Sequence, residues 1–210
     1  MTDSNSEDAS PTVYVIDDNG EMRRSLHFLL DTLGVRTRPF ASAEDFLDSL
    51  STLAEAPLLL DLRMPRMDGL QLMQELHMRG LEWPVIFMTA HGDVPAAVHA
   101  MKLGAVEFLE KPFEPETLEA ALASAFATVT AHGHAHAVHA AAAERLSRLT
   151  RRESQVVERL ARGATNKAIA HNMGLSARTV EMHRSNALEK LGVKNLAELI
   201  ALLKDAAPGE

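Results

Sequence analysis

Four short apolar runs, at residues 13–16, 58–60, 85–88 and 105–109, each stop at or just before a polar residue, and they constrain the fold more than any other feature. A half-exposed strand would alternate apolar and polar residues, whereas near-continuous runs suit strands buried on both faces of a parallel sheet. Parallel neighbours need crossovers, and the stretches between the runs have helical period. Met22, Leu26, Leu29, Leu30 and Leu33 recur at three and four, as do Leu70, Leu72, Met73 and Leu76. Gly34 and Gly80 sit where helix-ending glycines belong. A weaker strand over 35–38 and a helix near 43–50 complete a βα unit repeated about five times in roughly 120 residues. The expected fold of this front half is α/β, a doubly wound five-stranded parallel sheet.

The polar residues that end the runs carry the chemistry. Asp17 and Asp18 follow the first run, Asp61 ends the second, Thr89 follows the third, and Lys111 comes after the fourth. In open α/β sheets ligands bind outside the carboxyl ends of the strands, so three carboxylates, a hydroxyl and an ammonium are expected along one edge. Carboxylates gathered together disfavour one another's ionisation. A hard divalent cation resolves this: Mg2+, with Mn2+ as the alternative, takes oxygen ligands and keeps waters for a substrate phosphate to meet. The lysine and threonine would then hold phosphoryl oxygens. One aspartate alone could be a helix cap; five matched residues at four strand ends point to a site.

VIDD at 15–18, LLLDLRMPRMDG at 58–69, MTAHGD at 88–93 and EKPF at 110–113 resemble the receiver domain of two-component response regulators, over about residues 12–125. The resemblance implies that Asp61 accepts a phosphoryl group from a sensor histidine kinase. It implies that Asp18, Asp61 and the backbone carbonyl of Arg63 ligate Mg2+, with Asp17 acting largely through water. Thr89 would bond the phosphoryl group, Lys111 would pair with it, and Phe108 would be an aromatic switch that turns inward when Thr89 moves. Plain core is the competing role for Phe108, because aromatic residues are common in buried strands. The Lys111-Pro112 bond is expected to be cis, as is usual in that family. In-line phosphoryl transfer needs mainly positioning and charge neutralisation, which this set supplies. An aspartyl phosphatase would add an acid/base aspartate two positions after the nucleophile; that position is Arg63, so no enzymatic turnover beyond slow self-dephosphorylation is expected.

The back half is different. Residues 145–204 carry 12 Lys+Arg against 5 Asp+Glu, whereas residues 1–144 carry 9 against 22, so the whole-chain charge of -8 conceals an acidic front and a basic back. That division suggests cation binding in one part and phosphate-backbone binding in the other. Only short helical patterns follow Thr150: 151–162, 167–173, 177–191 and 196–204, with a Thr150/Glu153 capping box at the start. Residues 166–191 read as helix, Gly174-containing turn and helix, with Ser176 capping the second helix. Charge alone would also fit an ordinary helical hairpin with a solvated basic face.

LTxRE at 149–153, GxxNKxIA at 163–170 and SxRTVExHRxNxxxKL at 176–191 resemble the LuxR/FixJ/NarL output domain, expected over 149–205. With the front half, the chain resembles response regulators of the FixJ/NarL family with a LuxR-type output, and HGDVPAAVHAMKLGAVEFLEKPF at 91–113 is nearest the FixJ branch. By that resemblance Glu181, Met182 and Ser185 face bases, with Glu181 able to accept from a cytosine amino group and Met182 able to touch a thymine methyl. Lys167, Arg178, Thr179, His183, Arg184 and Lys190 are candidates for phosphates, which give register and affinity but not sequence. A helix-core histidine satisfied by backbone is the other reading of His183. The implied partners are a sensor histidine kinase, double-stranded promoter DNA and a second copy of the chain after phosphorylation, through 95–109, with RNA polymerase a further candidate. The implied function is a phosphorylation-dependent transcription factor; the alternative is a signalling adaptor or phosphate sink, which would not require the basic domain.

Between the two lies an expected helical His/Ala-rich linker, 126–148. Leu118, Leu122, Ala125, Val129, His132, His136, His139, Ala143 and Leu146 step by four and three, the a/d spacing of two-stranded packing. The histidine centre fits a pair that loosens as pH falls, a Zn2+ or Ni2+ site, or a solvated helix in which the spacing is accidental. With no cysteine, disulfides, thiolate metal sites and cysteine nucleophiles are excluded. Residues 1–11 are polar and expected to be disordered. The first twenty residues hold five acids and nothing like a secretory signal, and no apolar run approaches a membrane span, so the expected address is the cytoplasm, with no membrane partner.

Overall fold

The computed structural model describes residues 11–90 and 94–207. The expected disordered tail therefore lies, apart from Pro11, outside the described residues, as does HGD at 91–93. The front of the chain runs β1 (Thr12–Ile16), α1 (Gly20–Thr32), β2 (Arg36–Phe40), α2 (Ala43–Ser49), a 3-10 turn (Leu50–Thr52), β3 (Leu58–Asp61), α3 (Gly69–Met78), β4 (Val85–Thr89), α4 (Val94–Lys102) and β5 (Glu107–Glu110). The long helix α5 (Pro115–Ser147) follows, then α6 (Arg151–Ala161), α7 (Asn166–Met173), α8 (Ala177–Leu191) and α9 (Leu196–Asp205). By internal packing the chain forms two units, residues 1–131 and 132–210. That division falls inside α5 and within the expected linker.

The first unit is built on a five-stranded sheet in the order β2-β1-β3-β4-β5, every pairing parallel. Winding proceeds outward from β1 to β2, then returns to β3 on the other side of β1. The direction therefore reverses between β1 and β3, the strands that carry Asp17 and Asp61 at their ends. The apolar runs divide by parity. Tyr14, Ile16, Leu58, Leu60, Val85 and Phe87 face one core with Phe46, Leu72, Leu76 and Trp83. Val13, Val15, Leu59, Ile86 and Met88 face the other, with Leu26 and Leu30 of α1 and Leu118, Leu122 and Ala125 of α5. Burial on both faces is why the runs lack alternation. The sheet's edges are less apolar: β2 exposes Arg36 and Arg38 and accepts Pro39, whose missing N–H is tolerable only on an edge.

The second unit gathers Val156, Val157, Leu160, Ile169, Ala170, Val180, Ala187, Leu191, Leu199 and Leu202 into a third core. The expected capping box is present: Thr150 Oγ1 accepts from the Glu153 N–H, and a Glu153 carboxylate oxygen accepts from the Thr150 N–H at 2.8 Å. Gly174 ends α7 in the left-handed region (φ 64°), and Ser176 caps α8 by accepting from the Thr179 N–H. Those two features make the tight α7–α8 turn.

The two ends of the α5 a/d stripe are used inside the chain, which narrows the readings its spacing left open. Leu118, Leu122 and Ala125 are 0%, 3% and 0% exposed against the chain's own sheet, and Leu146 packs in the third core. These positions cannot also face a second helix, because heptad spacing specifies a stripe but not its partner. Among the described residues no three of His, Cys, Asp or Glu are placed to hold a metal ion.

Candidate functional site

Four adjacent strands deliver their terminal side chains to one edge of the sheet. Asp17 follows β1, Asp61 and Thr89 are the last residues of β3 and β4, and Lys111 follows β5. All but Lys111 are nearly closed to solvent, with Asp17 1%, Thr89 3% and Asp61 8% exposed. The Lys111 ammonium donates to Asp17 Oδ2 at 2.8 Å and to Asp61 Oδ1 at 2.6 Å. The remaining oxygens are satisfied by backbone. Asp17 Oδ1 accepts from the Asn19 N–H at 2.8 Å, and Asp61 Oδ2 accepts from the Arg63 N–H at 3.0 Å. Asp18, Asn19, Arg63 and Ala90 complete the lining of an open cleft of ≈ 550 Å³.

Three carboxylates against Lys111 and Arg63 leave the lining of this cleft with an excess of negative charge. Burial pushes the Asp61 carboxyl above its ordinary range, against the hydrogen bond and charge of Lys111, and Asp17 adds to the rise. Burial alone would lower Lys111, but its bonds to Asp17 and Asp61 outweigh it and hold the ammonium above its usual value. Lys111 is thus firmly protonated, and the acids are held close by it. The donor set, carboxylates and a carbonyl with no nitrogen or sulfur ligand, fits a hard divalent cation. Asp18 is exposed and lines the cleft.

In the second unit α8 presents Arg178, Glu181, Met182 and Ser185 to solvent, Met182 at 52% exposure. Thr179, His183 and Arg184 are half-buried on its flanks. Lys167, on the first turn of α7, and Arg184 share a cleft with Thr165, Asn166 and Leu188.

Residues 13–123 match the response regulator receiver domain, and residues 147–203 match the luxR family of bacterial regulatory proteins. The transcriptional regulatory protein FixJ of Bradyrhizobium diazoefficiens is 44% identical over 190 residues, 90% of this chain and 93% of that one. FixJ of Azorhizobium caulinodans is 42% identical over 200 residues, 94% and 95% of the two chains. Among solved structures, response regulator StyR superposes with a TM-score of 0.78 at 39% identity, covering 93% of this chain and 99% of StyR.

The chain belongs to the two-component response regulators with a LuxR-type output domain.

The regulator's receiver brings Asp17, Asp18, Asp61, Thr89 and Lys111 around one cleft, as their strand-end positions predict, and Arg63 lines it too. Phe108, in β5, is half-buried against the first core, its ring centroid 6.4 Å from that of Phe87. It is neither closed core nor fully exposed. The Lys111-Pro112 bond is cis. In the output domain Lys190 has a partner that the sequence did not foretell. Its ammonium lies 2.7 Å from the buried carboxylate of Glu153. That bond, with the Thr150 N–H, pulls Glu153 down to about 2.

Three further residues of the receiver site went unseen in the sequence. Asn19 caps α1 by accepting from the Glu21 and Met22 N–H groups, a role that an asparagine before a helical pattern could have signalled. Arg23 reaches back to donate to the Asp17 carbonyl at 2.5 Å, which no spacing rule foretells. Gly69 is required by proximity: a Cβ there would lie 2.5 Å from the Asp61 carbonyl oxygen and 2.9 Å from Phe87 Cε1.

Proposed function

We propose that this response regulator accepts a phosphoryl group on Asp61 from a sensor histidine kinase, pairs with a second copy through its receiver, and binds promoter DNA through α8. The observation that carries the first step is the pair of bonds from Lys111 to Asp17 and Asp61 at 2.8 and 2.6 Å. They hold a nearly buried acceptor carboxylate at a strand end, in a cleft that Asp18, Asn19, Arg63 and Thr89 also line. Asp18, Asp61 and the Arg63 carbonyl would hold Mg2+ or Mn2+, with Asp17 acting through water; the ion would supply charge neutralisation for the phosphoryl oxygens. Lys111 then exchanges its Asp61 contact for a phosphoryl oxygen, and Thr89 donates its hydroxyl to another. Nothing at position 63 can activate a water, so self-dephosphorylation is slow and no other enzymatic turnover is proposed.

A change at Thr89 and Phe108 reaches the surface of α4 and β5. There Val94, Val98 and Met101 are 68%, 48% and 47% exposed on one helical face. We assign this face to a second receiver. Pairing receivers raises the effective concentration of the paired output domains at neighbouring half-sites. Glu181, Met182 and Ser185 read bases, while Lys167, Arg178 and Arg184 meet phosphates. Among the described residues no helix is long and apolar enough to cross a membrane, and we place the protein in the cytoplasm with its DNA.

The test is equilibrium binding of full-length protein to genomic fragments with and without acetyl phosphate and Mg2+. Tighter, sequence-selective binding by wild type but not Asp61→Asn is expected. Binding that ignores the donor would contradict the proposal.

A further inference from the structure

We infer that Arg145 is a positioning residue for the DNA-contacting helix α8, and that residues 139–146 are part of the output domain although the matched family segment begins at residue 147. The inference rests on the reading of α8 as the helix that meets DNA. Arg145, in the last turns of α5, donates its Nε–H to the Leu191 carbonyl at 2.8 Å and its Nη2–H to the same oxygen. Leu191 is the final residue of α8, and Gly192 leaves the helix in the left-handed region at φ 61°. The last carbonyls of a helix have no intrahelical partner and carry the negative end of its dipole. A forked cation there satisfies both demands.

Two independent contacts tie the same stretch of α5 to the output domain. Ala142 is 3% exposed in the third core, with Leu146 packed beside it. One α5 turn earlier the His139 ring nitrogen lies 3.3 Å from the Asp205 carbonyl at the end of α9. A second grip on α8 comes from Glu153, through Lys190 at 2.7 Å. Both grips hold the C-terminal end of the helix and straddle the junction at 148–150. The N-terminal part, with Arg178, Glu181, Met182 and Ser185, is left exposed. The angle at which those side chains are offered to a groove is therefore set at the far end. Arg145 directs its Nε–H and Nη2–H to a backbone carbonyl at the far end of α8, and we assign it to act on DNA through α8 and not by contact with phosphate.

The experiment uses full-length Arg145→Ala and Arg145→Lys. Each is measured against the preferred duplex and an unrelated duplex over a salt series, with amide exchange read at Lys190, Leu191 and Gly192. Arg145→Ala should weaken binding to the preferred duplex about tenfold, the worth of a hydrogen bond to a charged group. Binding to unrelated DNA and the salt slope should not change, while exchange in the last turn of α8 should quicken. Arg145→Lys keeps the charge without the fork and should recover part of the loss; it carries the test alone if the alanine variant does not fold. Equal loss on both duplexes with a slope reduced by about one would make Arg145 a phosphate contact and overturn the inference. So would unchanged preference in both variants. If wild type itself prefers no sequence, the DNA-binding reading fails first and takes this inference with it.

Discussion

Gly69→Ala sets two effects of opposite sign against each other, and the structure decides between them. Gly69 opens α3, where alanine would ordinarily help, by at most about 1 kcal/mol. Its added methyl, however, would lie 2.5 Å from the Asp61 carbonyl oxygen and 2.9 Å from Phe87 Cε1. The first neighbour is backbone and the second is a ring 0% exposed, so neither can yield as a flexible side chain would. Relief requires a shift of about 1 Å in α3 or in the end of β3, and overpacking of this kind costs about 1–3 kcal/mol. The clash should win, with net destabilisation of about 1–2 kcal/mol, and the shift should also carry Asp61 out of its bond to Lys111. Trp83, the only tryptophan, sits in the same core as Phe87, so its fluorescence during urea unfolding reports this unit alone. Labelling by acetyl phosphate reports the site. Gly133→Ala is the control, followed by circular dichroism because residue 133 belongs to the second unit: nothing lies within 4 Å of a Cβ in that helical position, and it should gain about 1 kcal/mol. If Gly69→Ala is as stable as wild type and labels at the same rate, the argument that Asp61 is positioned from behind by α3 is wrong.

Lys111→Ala should leave divalent cation binding largely intact by calorimetry, because the lysine is not among the proposed ligands, yet uncouple phosphorylation from dimerisation in sedimentation. Glu153 is a depressed acid, so its contribution to the output domain is fully present above about 4.5 and is lost as pH falls toward about 2. Unfolding followed by circular dichroism should show that loss in wild type and a flatter acid profile in Glu153→Gln, which is less stable at neutral pH. Glu181→Ala should change base preference at one position at a cost of about 1–3 kcal/mol in a binding-site selection. Lys167→Ala should instead weaken all sequences alike and lower the salt slope by about one.

The receiver site was legible because its residues are tied to strand ends, and strand ends are where apolar runs stop. Asp17, Asp61 and Thr89 could be placed that way without any knowledge of pairing order. The edge strands were less so. β2 extends to Phe40, past the expected 35–38, since the exposed Arg36 and Arg38 blur the pattern and an edge admits Pro39. β5 begins at Glu107, after the apolar Ala105 and Val106. Contacts made by long side chains to distant carbonyls left no trace: Arg23 and Asp17 are six residues apart, Arg145 and Leu191 forty-six. The α5 stripe was left open between several uses for a related reason. Leu118, Leu122 and Ala125 fit a second helix and their own sheet equally well by spacing, and only topology brings the sheet first. Lys190 likewise looked like one more cation on a basic face until Glu153 came beside it.

The central claim is that Asp61 is the phosphoryl acceptor, and mapping the phosphoryl group tests it most directly. Wild type and Asp61→Asn are incubated with acetyl phosphate and Mg2+, and the acid-labile phosphate is located by mass spectrometry after reductive trapping of the acyl phosphate. The account predicts a single modified residue, Asp61, in wild type and none in the folded variant. Phosphate that persists in Asp61→Asn, whether on Asp17, on Asp18 or in an acid-stable form, would contradict it.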